Sequence, residues 1–338
     1  LYRSSAASDV YKRQVITGPQ KEEIVMPSKE DIILMVESIG DKKIEPYIDK
    51  VSNQPLLAEE PAPGQIVSKI PNEALGTEEW VFDNCVTVVL KKTDFKEDEI
   101  LMRAFSLGGA SLYELEDLMS ANFACNVIGE SGIANFDKIE LEKLLAGKIV
   151  SVYPYVGGVD EGFNGSSSVK DFETLLQLVY LYFTAPPQNE TAYNALMNRY
   201  RGFLENRAND PANAFRDTIS VVNANYHSRV RPLTVELLDE ADFNRMNFIY
   251  KERFGDPGGF RFYFIGNINF EEAEPLLATY LGGLPKVTRN ETFKDNGVRA
   301  PKGMVEKKLV RELEVPKGTV YFNYTGEYDY DNYQDRIN

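Results

Sequence analysis

The chain has 338 residues, room for about two domains of ordinary size. Its formal net charge is −15, which repels phosphate backbones and anionic lipid and so argues against nucleic-acid binding and against docking on an acidic membrane surface. No apolar run approaches the length of about 18 residues that a membrane span needs.

Residues 1–14, LYRSSAASDVYKRQ, have no hydrophobic period and no apolar core of a signal peptide, and are expected to be a non-native scar. VITGP (15–19) reads as a strand end and turn. In 26–39 Ser28 offers an N-cap, Asp31 follows three residues later, and Ile32, Ile33, Met35, Val36 and Ile39 give a short amphipathic helix. Residues 52–76 are rich in Pro, Gly and Glu and read as a linker or extended arm.

From Trp80 the pattern changes. Residues 80–95 and 99–109 are β-rich, and Gly108-Gly109 breaks the second run. Ser111 is expected to open a helix with Glu114 as its capping-box partner. A short helix over 137–146 and a strand over 148–155 follow. The clearest helix is 167–184, capped by Ser168, with Phe172, Leu175, Leu176, Val179, Tyr182 and Phe183 on one face. Three more helical stretches occupy about 189–208, 211–226 and 235–253. FRFYFIGNI (260–268) alternates as a strand, and Asn269 opens a last helix stopped at Gly282-Gly283. Lys307–Leu313 and Thr319–Tyr324 look like strands of a further domain. Strands, then a helical run, then a returning strand imply an α+β unit: a mainly antiparallel sheet with helices packed on one face.

The side chains suited to chemistry are few. Cys85 and Cys125 are too few for a disulfide framework or a multi-cysteine zinc site. The single histidine, His227, lies in a polar stretch that reads as a helix end and loop, and no G-x-S-x-G elbow accompanies it. Gly165-Ser166-Ser167-Ser168 is followed by no Walker lysine and reads as a helix cap. Glu59-Glu60 and Glu271-Glu272 read as solvated surface.

Five segments in order resemble bacterial zinc metallopeptidases of the pitrilysin/insulinase family, those with an inverted zinc motif. They are W-x(12)-TDFKEDEILMRAFSLGGASLY (80–113), LLAGK (144–148), GSSSVKDFETLLQLVYLYFTAP (165–186), YKERFGDPGGFRFYFIGNI (250–268) and GGLP (282–285). The resemblance covers about residues 15–338. It implies repeated α+β units, two in a catalytic half and two in a companion half, closing around a peptide chamber. In the catalytic unit a helical His-x-x-Glu-His binds zinc through two histidines, and the glutamate activates water.

In this chain the matching helix is 111–132, and Asn122-Phe123-Ala124-Cys125-Asn126 stands at the zinc motif. Asn122 and Asn126 replace the histidines and Cys125 the base. Asparagine is a poor zinc ligand, and a thiol is an unsuitable substitute for the glutamate. Glu205 is the nearest counterpart of the family's third ligand and has nothing to complete. The resemblance therefore implies no metal and no catalytic residue in this chain. Asn122, Cys125 and Asn126 are degenerate positions lining the chamber, and Gly108 and Gly109 are candidate glycines along the peptide path.

The implied boundaries are 1–14 scar, 15–79 tail of a preceding domain and linker, 80–286 inactive peptidase-like domain, and 287–338 the start of a second such unit. The implied function is the non-catalytic companion half of a zinc metalloendopeptidase, inactive alone. It would bind peptide while an upstream catalytic half, in the same chain or a separate subunit, holds the zinc, in the bacterial periplasm or cell envelope. The alternatives are a scaffold subunit on the same fold and a hydrolase with an unrecognised site.

Overall fold

A computed structural model describes residues 26–40, 54–207, 210–286, 291–311 and 316–326. The chain divides into two compact units, Leu1–Ser52 and Asn53–Asn338. The expectations for 1–14 and for 15–19 lie outside the described residues.

In the first unit, helix α1 spans Lys29–Gly40. It starts as its sequence predicts: Ser28 Oγ accepts the Asp31 N–H at 3.1 Å, and the Asp31 carboxylate accepts the Ser28 N–H at 3.0 Å. This reciprocal pairing satisfies two of the donors that a helix start leaves open.

The second unit is built on a seven-stranded sheet: β1 Ile66–Asn72, β2 Thr77–Phe82, β3 Thr87–Lys92, β4 Ile100–Leu107, β5 Val150–Val156, β6 Asp160–Ser167 and β7 Arg261–Gly266. Their spatial order is β1-β2-β3-β7-β4-β6-β5. All neighbours pair antiparallel except β3 and β7, because the returning strand slots between two strands made early in the chain. Eight helices belong to this unit among the described residues: α2 Leu118–Ser131, α3 Lys138–Leu144, α4 Phe172–Thr184, α5 Glu190–Arg207, α6 Pro211–Asn223, α7 Val235–Leu238, α8 Phe243–Phe254 and α9 Phe270–Leu277.

Alternation along the strands sends one set of side chains into the core. Ile100, Met102 and Ala104 of β4 and Phe262 and Phe264 of β7 are buried, while Leu101 and Ile265 beside them are exposed. Phe163 of β6 packs at 5.0–5.1 Å between ring centroids on Phe183 and Phe254, from α4 and α8. Each such pair is worth about 0.5–1.5 kcal/mol beyond its buried area. Helix α4 is buried on almost every side rather than on one face, since Thr174, Leu178 and Leu181 are covered as well. The mainly antiparallel α+β expectation therefore holds.

Several local expectations need correction. The Pro- and Glu-rich stretch read as a linker supplies edge strand β1, which pairs with β2 through a turn closed by Gly76 at φ 61°. Leu56 and Leu57 pack on the core, and Gly64 lies so close to Gly282 that a Cβ would fall 2.3 Å from its carbonyl oxygen. The strand-forming QIVSKI was masked by its flanks.

Ser111 caps no helix. Its hydroxyl donates to the Gly108 carbonyl at 2.6 Å and accepts the Lys294 N–H at 2.9 Å, so α2 begins only at Leu118. Likewise Ser168 and Asp171 bond each other one turn early, and α4 starts at Phe172. Strand β6 had no sequence signal, having one apolar residue among Gly, Asp, Asn and Ser. The helix expected over 235–253 is broken, because Asp242 accepts the Arg245 N–H at 2.7 Å and caps a new start. The strands expected at 307–313 and 319–324 do not form where they are described, in 307–311 and 319–324, and these residues are mostly exposed.

Candidate functional site

Helix α2 is held at its start by Arg245 of α8, whose guanidinium donates to both Asp117 oxygens at 2.8 and 2.7 Å. Farther along, almost every side chain is buried, and the exposed strip is Asn122, Asn126 and Gly129. The spacing of four and three residues puts them in one line along the helix. Asn126 Nδ2 lies 3.5 Å from the Tyr200 hydroxyl of α5, and the Tyr200 ring packs edge-on against Phe123 at 5.0 Å.

Cys125 sits on the buried side of that strip, 7% exposed. Burial pushes its thiol well up from the ordinary value, and the charge of Glu161 adds to the effect. A neutral, buried thiol between two exposed carboxamides is no match for the anionic and imidazole donors that zinc requires. The three positions therefore do not fit the ion. Glu205 is exposed on α5. Among the described residues, no group of three or more His, Cys, Asp or Glu side chains is placed to hold a metal. His227 closes a turn: its Nδ1 accepts the Arg229 N–H at 3.2 Å.

Gly108 and Gly109 are both buried and form the turn between β4 and α2. Gly109 has φ 57°, and a Cβ there would come within 2.6 Å of the Gly157 carbonyl oxygen and the Asp160 nitrogen. Glycine is required by conformation and by space. Buried in this way, the pair offers no surface to a peptide.

Beneath this turn lies an ionic cluster that sequence reading missed. The Gly109 N–H donates to Glu161 Oε2 at 2.6 Å, and Glu161 is fully buried. Arg253 reaches the same place from α8 with a side chain 3% exposed, and its Nη1 donates to Glu291 at 2.8 Å. Burial works against the Arg253 charge, but Tyr113, Glu291 and Glu161 outweigh it and hold its pKa up. The Tyr113 hydroxyl donates to Glu252 at 2.5 Å, and Arg229 donates to the Tyr113 and Ala110 carbonyls at 2.8 and 2.6 Å.

The same turn receives a strap from the C-terminal side. Beyond Glu291, the Lys294 N–H donates to Ser111 Oγ, Asn296 Nδ2 donates to the Ser111 carbonyl at 2.9 Å, and Lys294 Nζ pairs with Glu114 at 3.0 Å. The available signal was an arginine in the apolar stripe Met246, Ile249, Tyr250, Arg253, Phe254. A charge on a core-facing stripe calls for a buried partner.

No family model matches the chain. Its sequence is 27% identical over 259 residues to the Arabidopsis thaliana protein named zinc protease PQQL-like, a match over 76% of this chain and 24% of that protein. The chain spans about a quarter of the length of the curated relatives it matches. Its fold resembles the crystal structure of the periplasmic protease PqqL from Escherichia coli, with a TM-score of 0.63 and 18% identity over 81% of this chain and 30% of that one. It also resembles a Pseudomonas fluorescens protein described as a peptidase M16 inactive domain, with a TM-score of 0.53 and 13% identity over 65% of this chain and 53% of the other. In sequence the chain is similar to proteins named zinc proteases, and in fold to a periplasmic protease and a peptidase M16 inactive domain, the similarity that the five segments suggest for the pitrilysin/insulinase (M16) family of zinc metallopeptidases.

Proposed function

We propose that this chain is a non-catalytic unit of a zinc metalloendopeptidase, and that it holds substrate peptide while another unit supplies the zinc site. The observation that carries this reading is the α2 helix. By the resemblance it matches the zinc-motif helix, and it presents Asn122 and Asn126 to solvent and turns Cys125 into the core. The two asparagines are the positions that would face a peptide; they can donate and accept hydrogen bonds without charge. Gly108 and Gly109 serve to build the turn.

Two features support peptide capture. Strands β1 and β5 are the edges of the sheet, with main-chain donors and acceptors on their outer sides. An extended peptide can add to such an edge through backbone hydrogen bonds, which gives affinity with little sequence preference. Tyr153 of β5 is 67% exposed and would flank such a peptide. A periplasmic location would follow from the likeness to the protein named periplasmic in Escherichia coli. No helix among the described residues is long and apolar enough to cross a membrane.

Determining the gene sequence upstream of Val15 tests this reading. The expected result is a unit carrying His-x-x-Glu-His in the same or a neighbouring reading frame. A gene and neighbourhood without that motif would replace the protease reading with a scaffold role.

A further inference from the structure

The sheet of the second unit has a second face, and its composition differs from the rest of the protein. Side chains that alternate with the core project from β4 and β7: Leu101, Arg103 and Phe105 on one strand, Arg261, Tyr263 and Ile265 on the next. Arg103 stands opposite Tyr263, and Phe105 opposite Arg261. The Phe105 and Tyr263 rings stack at 5.9 Å between centroids with 7° between their planes. Leu101 and Ile265 are 48% and 40% exposed. The centre of this face is therefore an aromatic pair between two guanidinium groups, rimmed by aliphatic side chains.

Its charge runs against the chain's. Arg103, Arg261 and Lys91 project from this face with two carboxylates, Glu79 and Asp160. Both carboxylates are engaged: Glu79 pairs with Arg261 at 2.7 Å, and Asp160 accepts the Tyr155 hydroxyl at 2.8 Å. Among the described residues no ion pair joins Arg103 or Lys91 to a carboxylate. Arg103 reaches the Tyr155 hydroxyl, so a chain of net charge −15 keeps Arg103 and Lys91 without a carboxylate ion pair on this aromatic open face. Acidic side chains are available elsewhere in quantity, so neutralising them would need only a single nearby substitution.

We propose that this face is a docking surface for an acidic, partly apolar polypeptide segment. The carboxylates of the segment meet Arg103 and Lys91, and its apolar side chains lie over the Phe105–Tyr263 stack and Leu101. Arginine flanked by aromatic rings suits such a ligand, because the guanidinium binds a carboxylate with two parallel donors and keeps its stem on apolar surface. The proposal rests on the peptide-capture reading and specifies what kind of peptide is captured. It differs from strand addition at the edge, since it depends on side chains and charge rather than on main-chain groups.

The test uses the 338-residue chain and three fluorescein-labelled peptides of one apolar pattern, with Glu, Gln or Lys at the polar positions, titrated by anisotropy at physiological salt. The chain as a whole repels the Glu peptide, so preference for it reports the local cations. The expected result is binding of the Glu peptide at least about tenfold tighter than the Lys peptide, with the preference lost in Arg103→Glu and reduced in Arg103→Gln. Arg103 is exposed, so both variants are expected to fold, which their thermal unfolding checks. Equal binding of all three peptides, unchanged by Arg103→Glu, would overturn the proposal and leave peptide capture standing. Binding of none would overturn both. Concentration-dependent dimerisation abolished by Arg103→Glu, with no peptide preference, would assign the face to a second copy of the chain and also overturn the proposal.

Discussion

Around Gly109, charge and conformation are held in place from all sides: a buried carboxylate takes its N–H, a buried guanidinium lies beside it, and the strap from Glu291 to Asn296 closes over the turn. Around Asn122, one turn into α2, the surroundings are the opposite. The side chains of Asn122, Cys125 and Asn126 are neutral, two are exposed, and Asn126 Nδ2 lies 3.5 Å from the Tyr200 hydroxyl. Both regions belong to the same strand–turn–helix. The contrast shows that the turn leading into α2 is fixed by buried charge and hydrogen bonds, while the exposed strip of the helix carries neutral carboxamides. A fold can keep such a turn for packing whatever its exposed strip does, because packing and ligand binding make separate demands on the residues.

The contrast can be broken at its stronger side first. Arg253→Ala removes a buried cation beside Glu161 and should cost about 3–5 kcal/mol, read as a drop in the urea midpoint. Adding Glu161→Gln should return part of that loss, because the uncompensated charge disappears; a double variant no better than Arg253→Ala alone would mean that the two groups act independently. Gly109→Ala comes next, at about 1–3 kcal/mol, since φ 57° disfavours a Cβ and backbone atoms stand within 2.7 Å of where it would sit.

The weaker side should behave differently position by position. Asn122→Ala and Asn126→Ala should each change stability by less than about 0.5 kcal/mol, as exposed sites do. Cys125→Glu should destabilise clearly, because it forces a carboxylate into a site 7% exposed. Building His-x-x-Glu-His at 122–126 would therefore fail at residue 125 before its ligands are tested. If instead Cys125→Glu melts at the native temperature, the helix is not packed as described here.

The smallest effect concerns the strap and acid. Arg299 and the Gly297 N–H hold the Asp295 carboxyl at about 2, below its ordinary 3.8. The folded value is the lower one, so this contribution is complete above about pH 3.8 and is lost as pH falls through about 2. Glu114, bonded to Lys294, is lowered in the same sense. Deuterium protection of the Lys294 amide, corrected for intrinsic exchange, should fall over that window while amides in β4 stay protected. Equal loss at both places would mean that the strap and the sheet open together.

Much of the fold could be read directly from residue spacing. The alternation of 260–268 and the apolar stripe of 172–183 announce a strand and a helix because their burial follows the periods of the backbone. Strand β6 could not be read this way: it is sandwiched between β4 and β5, and its inward positions are filled by Glu161, Phe163 and Gly165, a mixture set by tertiary contacts. Ser111 shows the same limit, since its hydroxyl is claimed by Gly108 and by Lys294, 183 residues away. The spacing that puts Asn122 and Asn126 on one face of α2 was legible. That Cys125 faces inward while the asparagines face outward depends on what packs against α2, which no local pattern contains. Arg253 and Glu161 belong to the same class: two charges far apart in sequence whose pairing exists only in the fold.

The most direct test of the central claim is to give the purified chain zinc and a quenched fluorescent peptide library, and to follow peptide binding and cleavage in the same samples. The account predicts saturable binding, no cleavage above buffer, and no difference between zinc and chelator. Cleavage that zinc supports and a chelator abolishes, and that survives repurification, would contradict it and return a catalytic site to this chain.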